Sequence, residues 1–225
     1  MKRQEMPGYT LTKRQKRYMA VKRVLDVVFA LCALIILAIP ILIIAGIQKL
    51  SSSHEPVFFR HRRVGRYGEI FDLIKFRSMK SDAPMYVAAG TFTDSKRYIT
   101  PFGQFLRDTS IDELPQLAQV LTGKMSIIGP RPLIPQEGIV HELRWRYGVY
   151  QLRPGITGWA QINGRVQITD EEKAAYDREY LEKMSFAMDC RIVWITIMKV
   201  IRREDIQAGT QDAPANKQPQ ESEDQ

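Results

Sequence analysis

At 225 residues the chain is long enough for one well-filled core, so a single main domain with appendages is expected. Lys and Arg number 33 against 25 Asp and Glu, giving +8; from Glu204 onward there are six acids and only one base, Lys217, which leaves the body at +13. Such a body favours anionic partners (nucleic acid, anionic lipid or phosphorylated substrates), while two distant cysteines, Cys32 and Cys190, argue against a disulfide framework or cysteine metal site.

Residues 1–21 read as a basic amino-terminal segment, and residues 22–50 as a membrane helix. Val27 to Ile47 carries no charge, and a helix needs about 20 apolar residues to cross the hydrocarbon. A secretory signal would be shorter and end in a small-residue cleavage site. Basic residues flank both ends: Lys13, Arg14, Lys16, Arg17, Lys22 and Arg23 before, Lys49, Arg60, Arg62, Arg63 and Arg66 after. Positive flanks mark the cytoplasmic side, so a simple crossing satisfies only one end. Pro40 cannot donate to the carbonyl of Ile36 and supplies a bend, so a re-entrant helix-break-helix is expected.

Residues 51–203 form the predicted catalytic domain. After a short polar linker, Pro56 opens one strand, Gly65-Arg66-Tyr67-Gly68 turns the chain, and Glu69 to Phe76 returns as a basic hairpin. Residues 80–99 read as loop. Thr100-Pro101 starts a short helix to about Asp108. Ser110 and Glu113 have capping-box spacing for a helix to Leu121, stopped by Gly123. Ser126 to Arg131 is a brief apolar run ending in a rigid Gly-Pro-Arg-Pro. Helices are expected over 136–147, from a Thr169/Glu172 cap to about Lys183, and over 188–203, the last suited to core or bilayer interface. Residues 153–165 hold too many glycines for a helix and read as structured loop. The acidic segment 204–225 has nothing to bury and is expected to be disordered.

P-loop, dinucleotide-binding, zincin and hydrolase motifs are absent, as is a DxD pair in the folded body. Three clusters remain: Lys75-Phe76-Arg77, then Arg107 with Asp112-Glu113, then Arg131 between two prolines. Singly each has a bland explanation. Asp112 and Glu113 suit a first helical turn, Lys75 and Arg77 a solvated strand, and Arg131 a surface loop. Together, adjacent carboxylates offer a nucleophile and a ligand for Mg2+, and the cations neutralise a moving phosphate.

The runs PVFFRHRRVGRYGEIFDLIKFRSM, TPFGQFLRDTSIDELPQL, GKMSIIGPRP and RPGITGWAQINGR resemble the bacterial sugar transferase family, the monotopic phosphoglycosyl transferases, over Lys22 to Arg203. The resemblance implies an α+β fold: a membrane re-entrant helix, then a small mostly helical domain with a β-hairpin and interfacial amphipathic helices. It implies that Asp112 attacks the sugar-linked phosphate with Glu113 and Mg2+ assisting, Glu113 as the metal ligand. Lys75, Arg77, Arg107 and Arg131 are implied to contact phosphate or nucleotide. The implied substrates are a UDP-sugar and polyprenyl (undecaprenyl) phosphate at an anionic lipid bilayer, on the cytoplasmic face of the bacterial inner membrane, with no nucleic acid. The chain departs from the family at Gln119-Val120, where Asn-Val is usual, and at Ile39, where some relatives carry Ser before the proline. It also lacks the multi-span region of longer relatives and reads as a minimal form.

The mechanism expected is two-step, with Asp112 ionised, exposed and ringed by cations. A one-step attack by the acceptor, or a non-catalytic basic membrane adaptor, are the rivals. The sugar, the pathway and the oligomeric state, a homodimer included, stay open.

Overall fold

The computed structural model of the chain describes residues 9–51, 55–80, 82–83, 95–164 and 168–202. α1 (Lys13–Ser51) runs for 39 residues, roughly 58 Å if straight, at 1.5 Å per residue. It starts within residues 1–21, the segment read as a basic amino-terminal segment. No non-helical residue separates two helices at the predicted bend: Pro40 lies inside α1, and every residue from Lys13 to Ser51 is helical, so a bend at Pro40 is carried within one continuous helix. Proline forfeits one ladder bond, but its neighbours keep theirs, so the helix passes through.

Although the apolar run is uniform in sequence, α1 buries one stripe. Gln15, Asp26, Ala30 and Gln48 are buried, with Ala33, Leu34, Leu37, Ile41 and Ile44 half-buried at helical spacing between them. On the other side Ile36 and Ile39 are 74% and 70% exposed. The most apolar 18-residue stretch of α1 is only 6% buried, which sets it apart from the core helix of a soluble domain. Polar contacts fasten its first half. Arg23 donates to Val120 O and Leu121 O at the end of α4 (Gln116–Leu121), satisfying carbonyls that a helix end leaves unpaired. Asp26 accepts from Ser126 Oγ and Ile127 N, and Lys22 pairs with Asp189 at 3.0 Å.

The predicted hairpin is present. β1 (Phe58–Val64) pairs antiparallel with β2 (Ile70–Phe76), Phe59 opposite Lys75, around a 3-10 turn at Arg66–Gly68 where Tyr67 is left-handed. A helical turn, α2 (Ser95–Tyr98), falls within the region expected to be loop; residues 84–94 lie outside the described residues. α3 (Pro101–Asp108) starts as predicted, with Thr100 Oγ1 accepting from Gly103 N.

The capping box at Ser110 is corrected. Ser110 is left-handed (φ 56°) with no side-chain cap, Ile111–Glu113 form a 3-10 turn, and α4 begins only after Pro115. Gly123 follows α4 at φ 80°, as a helix stop should. Residues 153–165 are not all loop. β4 (Gly155–Thr157) runs parallel to β3 (Ser126–Ile128), and α6 (Trp159–Asn163) follows. The glycines serve close approach: a Cβ on Gly155 would lie 2.1 Å from Gly129 N. α5 (Gly138–Arg146) and α7 (Asp170–Lys183) match their predicted positions, α7 with the full Thr169/Glu172 capping box.

α8 (Phe186–Arg202) buries Asp189 and Ile192 and leaves Phe186, Trp194, Ile197 and Ile201 exposed. The segment 204–225, expected to be disordered, lies outside the described residues. Two clusters form the core. One joins Ala30 of α1 to Leu73, Leu117, Val120 and Met125; the other centres on Tyr180, Leu181, Met184 and Ile192. The fold is therefore α+β and mostly helical.

Because the β3–β4 contact leaves no space for a methyl group, Gly155→Ala is expected to cost about 1–3 kcal/mol or more. Urea unfolding reads this directly; an unchanged midpoint contradicts the tight fit.

Candidate active site

Lys75 lies near the end of β2, and β2 is held on both sides. β1 pairs with one edge. Toward α4, Gln119 donates from Nε2 to Asp72 O at 2.6 Å and accepts from Ile74 N at 2.9 Å, so its amide stands in for a third strand. The departure from the family's usual Asn at this position thus has a defined structural use. Lys75 Nζ then reaches Glu113 Oε1 at 2.5 Å and Asp112 Oδ2 at 3.8 Å.

Asp112 is buried, 7% exposed, which corrects the expectation of an exposed carboxylate. Burial pushes its pKa up, Lys75 pulls it down, Glu113 pushes it up, and Arg107 and Arg131 pull it down; the net direction is upward. The first helical turn that would suit these carboxylates is absent, because no α-helix starts at Ser110; nearby cations favour the ionised form of Asp112 instead. The left-handed Ser110 turns the chain from α3 into the segment carrying both carboxylates, a backbone conformation that costs on the order of 1–3 kcal/mol in a non-glycine residue.

Arg131 is carried on an unusually well-fastened turn. Four successive carbonyls accept from three different segments: Pro130 O from Gly155 N of β4, Arg131 O from Arg144 of α5, and Pro132 O and Leu133 O from Arg63 and Val64 N of β1. Arg144 is itself buried and paired with Asp177 at 2.5 Å, so Arg131 is displayed from a rigid base.

The structure therefore brings Lys75, Asp112, Glu113, Arg107 and Arg131 to one place. Arg77 points elsewhere: its Nε donates to Pro56 O at 2.9 Å and its guanidinium lies 5.9 Å from the Phe59 ring. Sequence reasoning missed Arg63, which had counted only as a flanking charge. It is half-buried, and burial, then Arg131, press its pKa down to about 10, against the pull of Glu137 and Glu113. Its shared strand parity with half-buried Phe59 and buried His61 was the available signal. A small cavity lined by Lys22, Asp26, Ser126 and Tyr180 includes neither Asp112 nor Glu113.

Among the described residues no three His, Cys, Asp or Glu side chains gather into a metal cage. Mg2+ is commonly held by one or two carboxylates, waters and substrate phosphates, and the adjacent oxygens of Asp112 and Glu113 fit that donor set.

The raised pKa means that the folded chain binds the Asp112 proton more tightly than the unfolded chain, so stability falls as pH rises through the carboxylate range. Asp112→Asn removes that cost. In chelator it is expected to melt above wild type at about pH 8, the gap closing toward about pH 4. A variant melting below wild type at the higher pH contradicts the electrostatic reading.

Residues 17–203 match the family described as bacterial sugar transferase. The chain is 38% identical over 190 residues to the uncharacterized sugar transferase EpsL of Bacillus subtilis, covering 84% of this chain and 91% of that protein. It is 40% identical over 190 residues to the UDP-glucose:undecaprenyl-phosphate glucose-1-phosphate transferase of Escherichia coli, covering 79% of this chain and 39% of that one. It is 32% identical over 209 residues to the undecaprenyl-phosphate galactose phosphotransferase of Salmonella typhimurium, covering 86% and 43%. The chain spans about two fifths of the length of these last two relatives. On the extent of the match and the agreement of its motifs, the chain belongs to the bacterial sugar transferase family.

Proposed function

We propose that the chain transfers a sugar-1-phosphate from a UDP-sugar to undecaprenyl or another polyprenyl phosphate, as an early membrane step of surface-glycan synthesis. The observation that carries this reading is a buried carboxylate, Asp112, beside Glu113 and under the influence of Lys75, Arg107 and Arg131. The names of the relatives, which act on undecaprenyl phosphate, support it.

In the first step a carboxylate oxygen of Asp112 attacks the sugar-linked phosphorus, and the bond to the bridging oxygen breaks, releasing UMP. In the second, a phosphate oxygen of the polyprenyl phosphate attacks the same phosphorus and frees the carboxylate. Two displacements let one site serve a soluble donor and a lipid acceptor in turn. Burial strips water from the nucleophile, while the three cations favour its ionised form. Mg2+, when bound through Glu113 and substrate phosphates, supplies neutralisation of phosphate charge. Lys75, bonded to Glu113 and nearer to it than to Asp112, orients the ligand and leaves Asp112 oxygens for attack.

The same reading places α1 in the cytoplasmic face of the bacterial inner membrane, bent at Pro40 and leaving by the face it entered. Both ends dock on one body, Gln15 Nε2 on Leu181 O and Gln48 Nε2 on Arg77 O, which supports ends on one side. The exposed apolar faces of α1 and α8 then meet the bilayer.

Asp112→Asn is expected to abolish UMP release from UDP-sugars, a loss on the order of 1,000-fold or more, as for an essential catalytic group. Glu113→Gln should lose activity chiefly through a raised Mg2+ requirement. Near wild-type UMP release from Asp112→Asn would end this assignment. For topology, Cys32 and Cys190 are first replaced by Ser; Thr10→Cys and Glu55→Cys should then both label only from the cytoplasmic side. Labelling from opposite sides would restore a simple span.

A further inference from the structure

Arg63 lies on β1, close to the turn that displays Arg131. Of its five N–H donors, one is engaged among the described residues: Nη1 donates to Pro132 O at 3.2 Å. Its Nε is buried and has no partner among those residues. The residue is half-buried, and its guanidinium makes no second hydrogen bond among the described residues.

Two guanidiniums thus share one turn. Burial strips hydration from Arg63, and Arg131 works against its charge. Glu113 and Glu137 offset this in part, but Glu113 is bonded to Lys75, and Glu137 accepts from Ile134 N and lies 3.7 Å from Lys173. A purely structural role, fastening Pro132 O, would need one donor and no charge. Placing a second desolvated cation there is costly unless an anion shares both. The planar guanidinium is suited to paired phosphate oxygens, and a neutral or cationic ligand would leave the repulsion in place.

We propose that Arg63 is a phosphate-binding residue, acting with Arg131 as a two-arginine cradle for a substrate oxyanion beside Asp112 and Glu113. This rests on the phosphoryl-transfer reading above. The phosphate belongs to the UDP-sugar or to the polyprenyl phosphate, and separate kinetics distinguish them.

The test uses the full chain in detergent or nanodiscs, with Arg63→Gln and Arg63→Lys, and two readouts. In kinetics, Arg63→Gln is expected to raise KM on the order of 10- to 100-fold, the range of a lost charge-assisted contact. A rise for UDP-sugar assigns the phosphate to the donor, and a rise for polyprenyl phosphate assigns it to the acceptor. In thermal melts without ligand, Arg63→Gln is expected to match or exceed wild type, because a repelled, desolvated cation is gone. With UDP as probe, its ligand-induced stabilisation should shrink if the donor is the source. Arg63→Lys, which keeps the charge but loses the fork, should fall between; a wild-type KM for both substrates with Arg63→Lys overturns the proposal even if Arg63→Gln does not fold.

Unchanged KM for both substrates and unchanged UDP stabilisation in Arg63→Gln likewise overturn it, and a lowered melting temperature with them assigns Arg63 to holding the loop. If the wild-type chain binds UDP through Arg63 but releases no UMP from any UDP-sugar, the transfer reading fails while this inference stands.

Discussion

Lys75 Nζ, 2.5 Å from Glu113 and 3.8 Å from Asp112, ties a β-strand to two carboxylates that lie 37 and 38 positions further along the chain. The same short helix governs both sides of this contact. α4 follows directly on the carboxylates, and its Gln119 bonds the free edge of β2 at Asp72 and Ile74, next to Lys75. Any slip of β2 along α4 would change which cation meets which carboxylate. Opposed electrostatic effects then act on Asp112: burial and Glu113 favour the protonated acid, Lys75 and two arginines favour the anion. Burial prevails without ligand, and the net effect raises the carboxyl above its ordinary range.

α1 belongs structurally to this arrangement. It contributes Ala30 to the cluster that contains Leu73 and Leu117, caps the end of α4 through Arg23, and bonds β3 through Asp26. β3 leads straight into the turn that displays Arg131. The membrane-facing helix thus reaches both halves of the candidate site through packed side chains and a few directed hydrogen bonds. A chain shortened to remove α1 would lose core, not merely an anchor.

Much of the local structure was legible because it rests on short-range chemistry. The Thr100-Pro101 helix start, the Thr169/Glu172 capping box and the hairpin around Gly65–Gly68 depend on residues within a few positions of each other. The failures involve distant partners. Ser110 matches a capping box by spacing, yet the bend out of α3 demands a left-handed residue there. The glycines of 153–165 look like loop until Gly129 is brought against Gly155. In the candidate site, Lys75, Arg107, Asp112, Glu113 and Arg131 lie near one another, whereas Arg77 turns to Pro56 and Asp112 is buried. The Arg144–Asp177 pair and the bonds that Gln119 makes to β2 went unread, because nothing local marks a polar side chain whose partner lies tens of residues away.

The central claim is that the Asp112 carboxylate forms a bond to phosphorus. Intact-protein mass spectrometry after mixing the chain with UDP-sugar and Mg2+, lipid acceptor withheld, tests it most directly. The account predicts a mass gain of one sugar-phosphate, mapped to the peptide bearing Asp112 and discharged when polyprenyl phosphate is added. Product formed in the presence of acceptor, with no adduct at any time after rapid quenching in its absence, would contradict it and favour direct attack by the acceptor.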